Sequence, residues 1–360
     1  MIMDFNHRFK NIWMQLAFEL SGEHETLPRA EVLACLDLLG ARYKEVIFKG
    51  ALLVIEVQSK DEKLLATLPL LLKKRLALTH SIFTVFALCE PSENVILKTF
   101  CDAEDEIREF LKNGGLSFAV RVRKRGVLPM QIDSMSLERR LGAKIKRLGF
   151  KVRLKSPDGI ICVLVTKDLC MLGGILQNID KKQFLRRAPQ ARPFFLPGVL
   201  VPKFARALVN LSRVGSGEIF LDPFCGTGGI LIEAALVGAD VIGSDILMRA
   251  VRGAANNLRF YGLSGELAAC DATALCLQDE SIAAIATDPP YGRSTLMYYS
   301  SEKLYENAIS EMHRVLKNGR FAIVLSSFKD VPHDGFELLE THECYVHKSL
   351  TRYVSVLRKR

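Results

Sequence analysis

The chain has 360 residues, roughly twice a common domain length, which predicts two or more hydrophobic cores. No apolar run reaches the roughly 18 residues of a membrane-spanning helix, and Asp4, Arg8 and Lys10 argue against a secretory signal, so we expect a cytoplasmic protein without membrane contact. The net charge of +9 is concentrated in residues 1–214, with 35 Lys and Arg against 22 Asp and Glu, which predicts a basic module for a polyanion beside a near-neutral chemical module.

The first hundred residues predict a small α+β domain. Strand-like apolar runs at residues 13–20, 46–58 and 81–89 alternate with helical patterns. One helix follows Pro28 and stops near Gly40, as expected from a proline at an early helical position and a glycine after the end. We therefore predict an N-terminal α+β, ferredoxin-like domain over residues 1–98.

Residues 99–178 predict a second α+β module with a strong local charge. Residues 121–155 contain twelve Lys and Arg and two acidic residues, and this excess of ten exceeds the charge of the whole protein. The elements expected here are helices at 104–112 and 136–148 and strands at 117–123, 151–155 and 159–166.

Arg121, Arg123 and Arg125 alternate along one predicted strand and therefore share a face. Such a charge run is commonly a solvated surface, and that interpretation stays open. Because the excess has no local compensation, we favour contact with nucleic-acid phosphates, which predicts binding that weakens steeply with salt. Few aromatic residues accompany these arginines, so we expect positioning rather than base reading.

A basic, proline-rich segment separates these modules from the rest of the chain. Residues 181–206 contain seven basic residues, no acidic residue and four prolines. We predict an ordered linker over residues 179–206, with a helix after Pro202.

Residues 207–360 show strands and helices in alternation, which is typical of a doubly wound, mostly parallel sheet. The overall fold class expected is therefore α/β, with a Rossmann-like domain after the α+β modules. The predicted strands are 219–221, 241–244, 266–269, 282–287 and 321–326.

Four predicted strands end in an acidic residue, at Asp222, Asp245, Asp271 and Asp288. In a sheet of this class the ligand lies across the carboxyl ends of the strands. The glycines after Asp222 let the backbone approach a ligand, without the glycine spacing of a dinucleotide site. Asp245 can accept from ribose hydroxyls and Asp271 from an adenine amino group, which together indicate a nucleoside-bearing cofactor. For any one of these carboxylates, a helix N-cap is the alternative.

The tetrapeptide Asp288-Pro-Pro-Tyr291 predicts chemistry on a planar amino group. Such a nitrogen is a poor nucleophile because its lone pair is delocalised into the ring. Asp288 and the Pro289 carbonyl can accept both amino hydrogens, tilt the nitrogen toward tetrahedral geometry and take the surplus proton. Tyr291 can stack on an extruded base. A rigid Pro-Pro turn with a packed tyrosine is the structural alternative.

Nine cysteines, an odd number with no Cys-x-x-Cys pair, argue against both a disulfide framework and a zinc site. We therefore predict no metal in this protein, and we expect most of these cysteines to be small core residues.

Taken together, the motifs at 222–233 and 288–294 resemble those of class I S-adenosylmethionine-dependent amino methyltransferases. More narrowly, they are similar to the archaeal tRNA guanosine-10 N2-methyltransferases. The linker at 186–198 and the order of an RNA-binding THUMP domain before the catalytic domain also resemble that family. The resemblance is sharp after Leu185 and loose before it. It implies a catalytic domain over residues 207–360 and a THUMP-like domain over residues 99–178.

The resemblance also implies roles for individual residues. Asp288, Pro289 and Tyr291 would act on the target base. The THUMP-like domain would hold tRNA through Arg121, Arg123, Lys124, Arg125, Arg139, Arg140 and Lys144. S-adenosylmethionine would be held by Asp222, Phe224, Gly226, Thr227, Gly228, Asp245, Ile246, Asp271 and Ala272.

Several alternatives stay open. The resemblance implies N2-methylguanosine as the product, with the dimethyl form also allowed, and related enzymes with both motifs act on guanosine 6 of tRNA or on ribosomal RNA. Some family members need a small zinc-binding activator subunit and others act unaided. DNA adenine N6 methylation suits Asp288 chemically but lacks a DNA-reading motif here, and protein glutamine methylation would prefer Asn at this position. A non-catalytic RNA-binding protein would show lesions in the motifs, and none is present.

Overall fold

The structure is a computed structural model that describes residues 12–127, 132–196, 198–290, 301–348 and 350–360. It divides the chain into two compact units. The first contains residues 1–22, 41–73 and 79–179, and the second contains residues 23–40, 74–78 and 180–360. Among the described residues, no helix has both the length and the apolar character needed to cross a bilayer.

The strands, in chain order, are β1 (Ile12–Leu20), β2 (Arg42–Lys49), β3 (Leu52–Ser59), β4 (Thr79–Cys89), β5 (Ser117–Lys124), β6 (Lys151–Val152), β7 (Gly159–Val165), β8 (Cys170–Asn178), β9 (Ile219–Asp222), β10 (Asp240–Asp245), β11 (Glu266–Ala269), β12 (Ile282–Thr287), β13 (Leu316–Ser326), β14 (Phe336–His347) and β15 (Leu350–Lys359). The helices are α1 (Leu27–Leu38), α2 (Glu62–Arg75), α3 (Glu93–Asp102), α4 (Glu104–Gly114), α5 (Ser134–Arg147), α6 (Lys182–Leu185), α7 (Pro202–Leu211), α8 (Gly229–Leu236), α9 (Met248–Phe260) and α10 (Ser301–Val315). A short 3₁₀ turn covers Pro189–Ala191.

The first unit is built on one eight-stranded sheet, in the order β2-β3-β1-β4-β8-β7-β5-β6. Neighbours are antiparallel as far as β7, and β5 pairs in parallel with both β7 and β6. The prediction of a single strand-like run at 46–58 is wrong, because two strands occupy this range. Gly50 adopts a positive φ of 54°, which glycine tolerates, and the chain reverses there between β2 and β3.

The second unit contains a seven-stranded sheet in the order β11-β10-β9-β12-β13-β15-β14. The five strands from β11 to β13 run parallel, whereas β15 and β14 add an antiparallel edge. Strand β12 is buried along its whole length, as expected for a parallel strand covered on both faces. The Rossmann-like α/β fold class is confirmed, and the hairpin of β14 and β15 is an addition that the sequence reading did not include.

The first two predicted domains share the sheet of the first unit, and residues 98 and 99 both lie within that unit. The division at residue 98 therefore stays a prediction. Ile179 and Asp180 mark a border between the two units, one residue after the predicted start of the linker. Helix α1 lies in the second unit, although its sequence position placed it in the predicted N-terminal domain.

Buried Glu31 fixes this early helix within the second unit. Its side chain has no exposed surface. Its carboxylate accepts hydrogen bonds from Ala77 N at 2.9 Å, from Leu78 N at 2.8 Å and from Asn210 Nδ2 at 2.8 Å. Burial raises the pKa of Glu31, whereas these donors act in the opposite direction. One carboxylate thus joins α1, the segment at 74–78 and α7.

Replacing Glu31 with Ala is expected to destabilise the second unit, because it leaves two backbone N–H groups and one amide without their acceptor. A loss of about 3 kcal/mol or more in the free energy of unfolding is expected from the usual cost of such groups. Thermal and denaturant unfolding would measure it. Glu109→Ala, on the exposed side of α4, is the matched control. Equal free energies of unfolding for the two variants would contradict the role of Glu31.

Candidate active site

Asp222 and Asp288 stand at the point where the strand order of the second sheet reverses. The chain proceeds from β9 to β10 and β11 on one side and returns to β12 on the other side of β9. Ligands of doubly wound folds bind in the crevice at such a reversal, outside the carboxyl ends of the strands. Asp222 is the last residue of β9, and Asp288 directly follows β12.

A hydrogen bond joins the two strand ends. The Thr287 hydroxyl donates to Asp222 Oδ1 at 2.6 Å, and Phe224 N donates to the same oxygen at 3.2 Å. The exposed fraction is 0% for Thr287 and 1% for Asp222. Because neither residue has an open surface, this bond fixes the start of the glycine loop beside the start of the Asp288 turn.

Burial raises the pKa of Asp222 to about 7. The hydrogen bonds from Thr287 and Phe224 act in the opposite direction, and the nearby carboxylates Asp288 and Asp245 add to the rise. Three carboxyl groups therefore converge on this edge of the sheet. A site of this kind favours a ligand with positive charge.

The loop between β9 and α8 presents its backbone. Gly226 and Gly228 have positive φ values of 50° and 77°, which favour glycine. A Cβ on Gly226 would meet only Phe224 O, at 4.0 Å, so the loop is open on that side. Asp245 Oδ2 accepts from Gly226 N at 3.0 Å, and its Oδ1 accepts from Leu247 N at 2.9 Å. Asp245 thus holds the loop and stays half-exposed.

The other predicted cofactor residues line the same edge with unequal exposure. The side chain of Ile246 is 57% exposed, so the planar ring of a ligand could cover it. Asp271 is half-buried, and its Oδ1 accepts from both N and Oγ1 of Thr273 at 2.8 Å. Ala272 and Thr227 are buried, with 4% and 2% exposed. Their burial favours a supporting position rather than direct ligand contact.

Asn257, on the buried face of α9, ties the predicted linker to the glycine loop. Its Nδ2 donates to Thr227 O at 2.9 Å and to Phe194 O at 2.8 Å, and its Oδ1 accepts from Phe194 N at 2.9 Å. A Cβ on Gly253 would lie 1.9 Å from the Phe194 ring, so the ring packs directly on α9. The segment after residue 186 is therefore part of the site's framework.

Glu233 of α8 neutralises part of the basic linker. Arg187 donates through Nε and Nη2 to its two carboxylate oxygens at 2.8 and 3.1 Å. Arg206 Nη2 lies 2.8 Å from Glu233 Oε2, and Glu233 has no exposed surface. These arginines hold α8 in place and are not available to a polyanion.

The predicted catalytic residues fall at the limit of the described chain. Asp288 is half-buried and Pro289 is buried, directly after β12. Tyr291 lies outside the described residues. Up to Pro290, the turn follows the strand that adjoins the glycine-loop strand, as the sequence prediction requires.

Two of the three predicted RNA-binding arginines on and just after β5 have an acidic partner inside the first unit. Arg123 Nη1 lies 2.6 Å from Glu19 Oε2, and Arg125 pairs with the other oxygen of the same carboxylate. Glu19 has no exposed surface. Arg121 donates to Leu154 O at 3.0 Å. Glu19 of β1 therefore offsets part of the positive charge of this strand, which charge counting along residues 121–155 did not include.

Three of the remaining predicted RNA-binding residues contact other groups of the protein, and the fourth faces solvent. Arg140 pairs with Glu93, and Lys124 donates to Ile132 O. Lys144 Nζ lies 3.0 Å from Cys101 Sγ, whereas Arg139 is exposed.

Two positioning residues were missed from the sequence. Thr287 gave no signal, because a threonine at the end of an apolar strand is ordinary. Asn257 did give one, since it is a polar side chain on the apolar face of a helix whose buried residues include Ala250, Ala254 and Leu258.

Comparison with known proteins identifies relatives that match nearly the whole chain. The family model described as RMKL-like, methyltransferase domain matches residues 189–353. The tRNA (guanine(10)-N2)-dimethyltransferase of Methanothermobacter thermautotrophicus is 38% identical over 96% of this chain and 100% of its own length. The enzyme of the same name from Methanocaldococcus jannaschii is 33% identical over 96% of this chain and 99% of its own.

A solved structure shares the fold. TrmN from Thermus thermophilus superposes with a TM-score of 0.55 at 22% identity, over 96% of this chain and 100% of that one. The likeness therefore extends over both units of the chain.

Replacing Asp222 with Asn should change the pH dependence of stability. The unfolded carboxyl ionises near its ordinary pKa of 3.8, whereas the folded pKa is about 7. As the pH rises between these values, the unfolded chain releases the proton first, so the wild-type protein loses stability relative to the neutral variant. The Tm of the variant minus that of the wild type should thus be larger at pH 8 than at pH 4. A difference independent of pH would contradict the raised pKa.

Proposed function

This chain belongs to the tRNA (guanine(10)-N2)-dimethyltransferase family, and from that premise we propose that it transfers methyl groups from S-adenosylmethionine to the exocyclic N2 of guanosine 10 in tRNA. One observation carries the proposal. The glycine loop and the Asp288 turn leave adjacent parallel strands at the reversal of the sheet, where Thr287 Oγ1 lies 2.6 Å from Asp222 Oδ1. A donor on the first and a base on the second would meet at one edge.

The residues present fit S-adenosylmethionine. The backbone at Gly226 is open on one side, and the Asp245 carboxylate beside it can accept from ribose hydroxyls. The exposed side chain of Ile246 can cover one face of the adenine. The buried carboxyl of Asp222 and its two acidic neighbours favour the cationic sulfonium end. When bound, this cofactor supplies an electrophilic methyl group.

Asp288 would act on the guanine amino group. Its carboxylate and the Pro289 carbonyl accept the two amino hydrogens and restore lone-pair density to the nitrogen. The same carboxylate stabilises the positive charge that develops there and takes the proton that must leave. The remaining requirement is alignment of nitrogen, methyl carbon and sulfur, which two turns fixed on neighbouring strands supply. We further propose that Tyr291 stacks on the extruded base.

The RNA-binding role falls to the THUMP-like domain proposed for residues 99–178, and tRNA as substrate places the reaction in the cytoplasm. Guanosine 10 is preferred over guanosine 6 because the two archaeal relatives named for position 10 match nearly the full chain. Their names also favour the dimethyl product. A small zinc-binding activator is a second partner to test, and turnover by the purified chain alone would exclude that requirement.

Mass spectrometry of nucleosides tests the proposal directly. Unmodified tRNA transcript incubated with the protein and S-adenosylmethionine should yield N2-methylated and N2,N2-dimethylated guanosine. Fragment mapping should place the modification at position 10. Modification at position 6, or of ribosomal RNA alone, would show that the substrate differs from the proposed one. Methylation of adenine would overturn the proposed chemistry.

Asp288→Ala should lose most turnover while it retains cofactor affinity, because it removes the group that activates the amine and leaves the glycine loop unchanged. We expect a fall in kcat of roughly 100-fold or more, from the usual contribution of a positioned acid–base group. Single-turnover assays and calorimetry with S-adenosylhomocysteine would measure the two quantities. Asp240→Ala is the control, since Asp240 is exposed at the opposite end of the sheet. Wild-type turnover in Asp288→Ala would refute the assigned role.

A further inference from the structure

The basic residues of the first unit form two groups that the sequence does not distinguish. One group faces acidic side chains. Arg123 and Arg125 meet Glu19, and Arg140 meets Glu93 at the start of α3. Pairing of this kind lowers the charge available to a partner.

The other group lies at the end of α5, on β6 and in the segment just after β6. Within residues 146–155 the cations are Lys146, Arg147, Lys151, Arg153 and Lys155, and no acidic residue occurs. All five side chains are exposed. We name these five residues the β6 patch.

One carboxylate and one further cation are recorded beside the β6 patch. Asp158 follows the patch in sequence and accepts hydrogen bonds from Ser117 Oγ at 2.7 Å and Ser117 N at 3.0 Å, and these bonds, together with the charge of Arg153, lower its pKa. Arg121, from the neighbouring strand β5, donates to Leu154 O and brings one more cation next to the patch.

Exposed apolar side chains lie between these cations. Leu116, Val152 and Leu154 are 68%, 50% and 66% exposed. Lys151 N donates to Leu116 O at 2.9 Å, which places Leu116 beside the patch. Lys and Arg bind phosphates, whereas apolar side chains contact sugar and base surfaces. This mixture suits the backbone of a folded RNA.

We propose that the β6 patch, rather than the arginine row of β5, is the surface of the first unit that holds the phosphate backbone of tRNA. The proposal rests on the proposed function for the identity of the polyanion. Its physical basis is that Arg123 and Arg125 share the buried carboxylate of Glu19, whereas the five cations of the patch are exposed on and beside an edge strand.

Charged residues on an edge strand have a structural alternative, which is protection against pairing with another sheet. The opposite edge of the same sheet provides the control. Strand β2 is also an edge strand, and its Arg42, Lys44 and Lys49 are exposed. If these charges serve edge protection, substitutions at β6 and at β2 should have equal effects. If they bind phosphates, only the substitutions at β6 should weaken tRNA binding.

The experiment compares two triple variants of the full chain. One carries Lys151→Glu, Arg153→Glu and Lys155→Glu, and the other carries Arg42→Glu, Lys44→Glu and Lys49→Glu. Filter binding of tRNA is measured across a range of salt, together with kcat and KM for tRNA methylation and the affinity for S-adenosylhomocysteine.

The β6 triple should weaken tRNA binding roughly tenfold or more, and its log–log salt slope should become shallower by about two to three, at about 0.7 to 0.9 per phosphate contact. The KM for tRNA should rise, with kcat and cofactor affinity near wild type. The β2 triple should behave like wild type. A glutamine version of the β6 triple removes the charges without reversing them. It should change tRNA affinity, salt slope and KM in the same directions, and it replaces the glutamate version if that version fails to fold.

Equal losses in the two triples, or wild-type binding by the glutamine version of the β6 triple, would overturn the proposal. Failure of the proposed function has a different signature, because then the wild-type protein itself would not methylate tRNA. If the wild-type protein methylates tRNA and the β6 variant binds tRNA equally well, the result would reject the role of the patch and leave the proposed function intact.

Discussion

The hydrogen bond from the Thr287 hydroxyl to Asp222 Oδ1 joins the two halves of the proposed reaction site. Strands β9 and β12 lie side by side although 59 residues separate the end of one from the start of the other, and the helices between them cover the sheet. Adjacent parallel strands bring their carboxyl ends to one edge, and the bond fixes the register of the two turns that follow. The proposed cofactor loop and the proposed amine-binding turn are therefore neighbours because of the strand order.

The framework around this edge uses buried polar groups that are joined by hydrogen bonds and ion pairs. Asn257 joins the linker to the glycine loop, Glu233 holds two arginines, and Glu31 holds an early helix to α7. A buried polar group that loses a partner is costly, so each of these contacts specifies one arrangement. The catalytic unit is therefore assembled from three separate parts of the chain.

Much of the catalytic domain could be predicted because its signals are local. Strands 266–269 and 282–287 were predicted with their observed bounds, since short apolar runs followed by Asp or turn residues define them. Placement of α1 in the second unit depended on contacts across some 180 residues, which no local pattern encodes. The arginines of β5 looked uncompensated because charge was counted along the chain, whereas Glu19 approaches from another strand. The role of Asn257 could have been predicted from a polar residue on an apolar helix face, whereas nothing in the sequence indicated the role of Thr287.

The central claim is that the bond between β9 and β12 aligns donor and acceptor, and a comparison of Thr287→Val with Thr287→Ser tests it most directly. Valine keeps the volume and removes the hydroxyl, whereas serine keeps the hydroxyl. The account predicts a lower kcat for methyl transfer in the valine variant and recovery in the serine variant, with both proteins folded by circular dichroism. Wild-type kcat in the valine variant, or an equal loss in both, would contradict it.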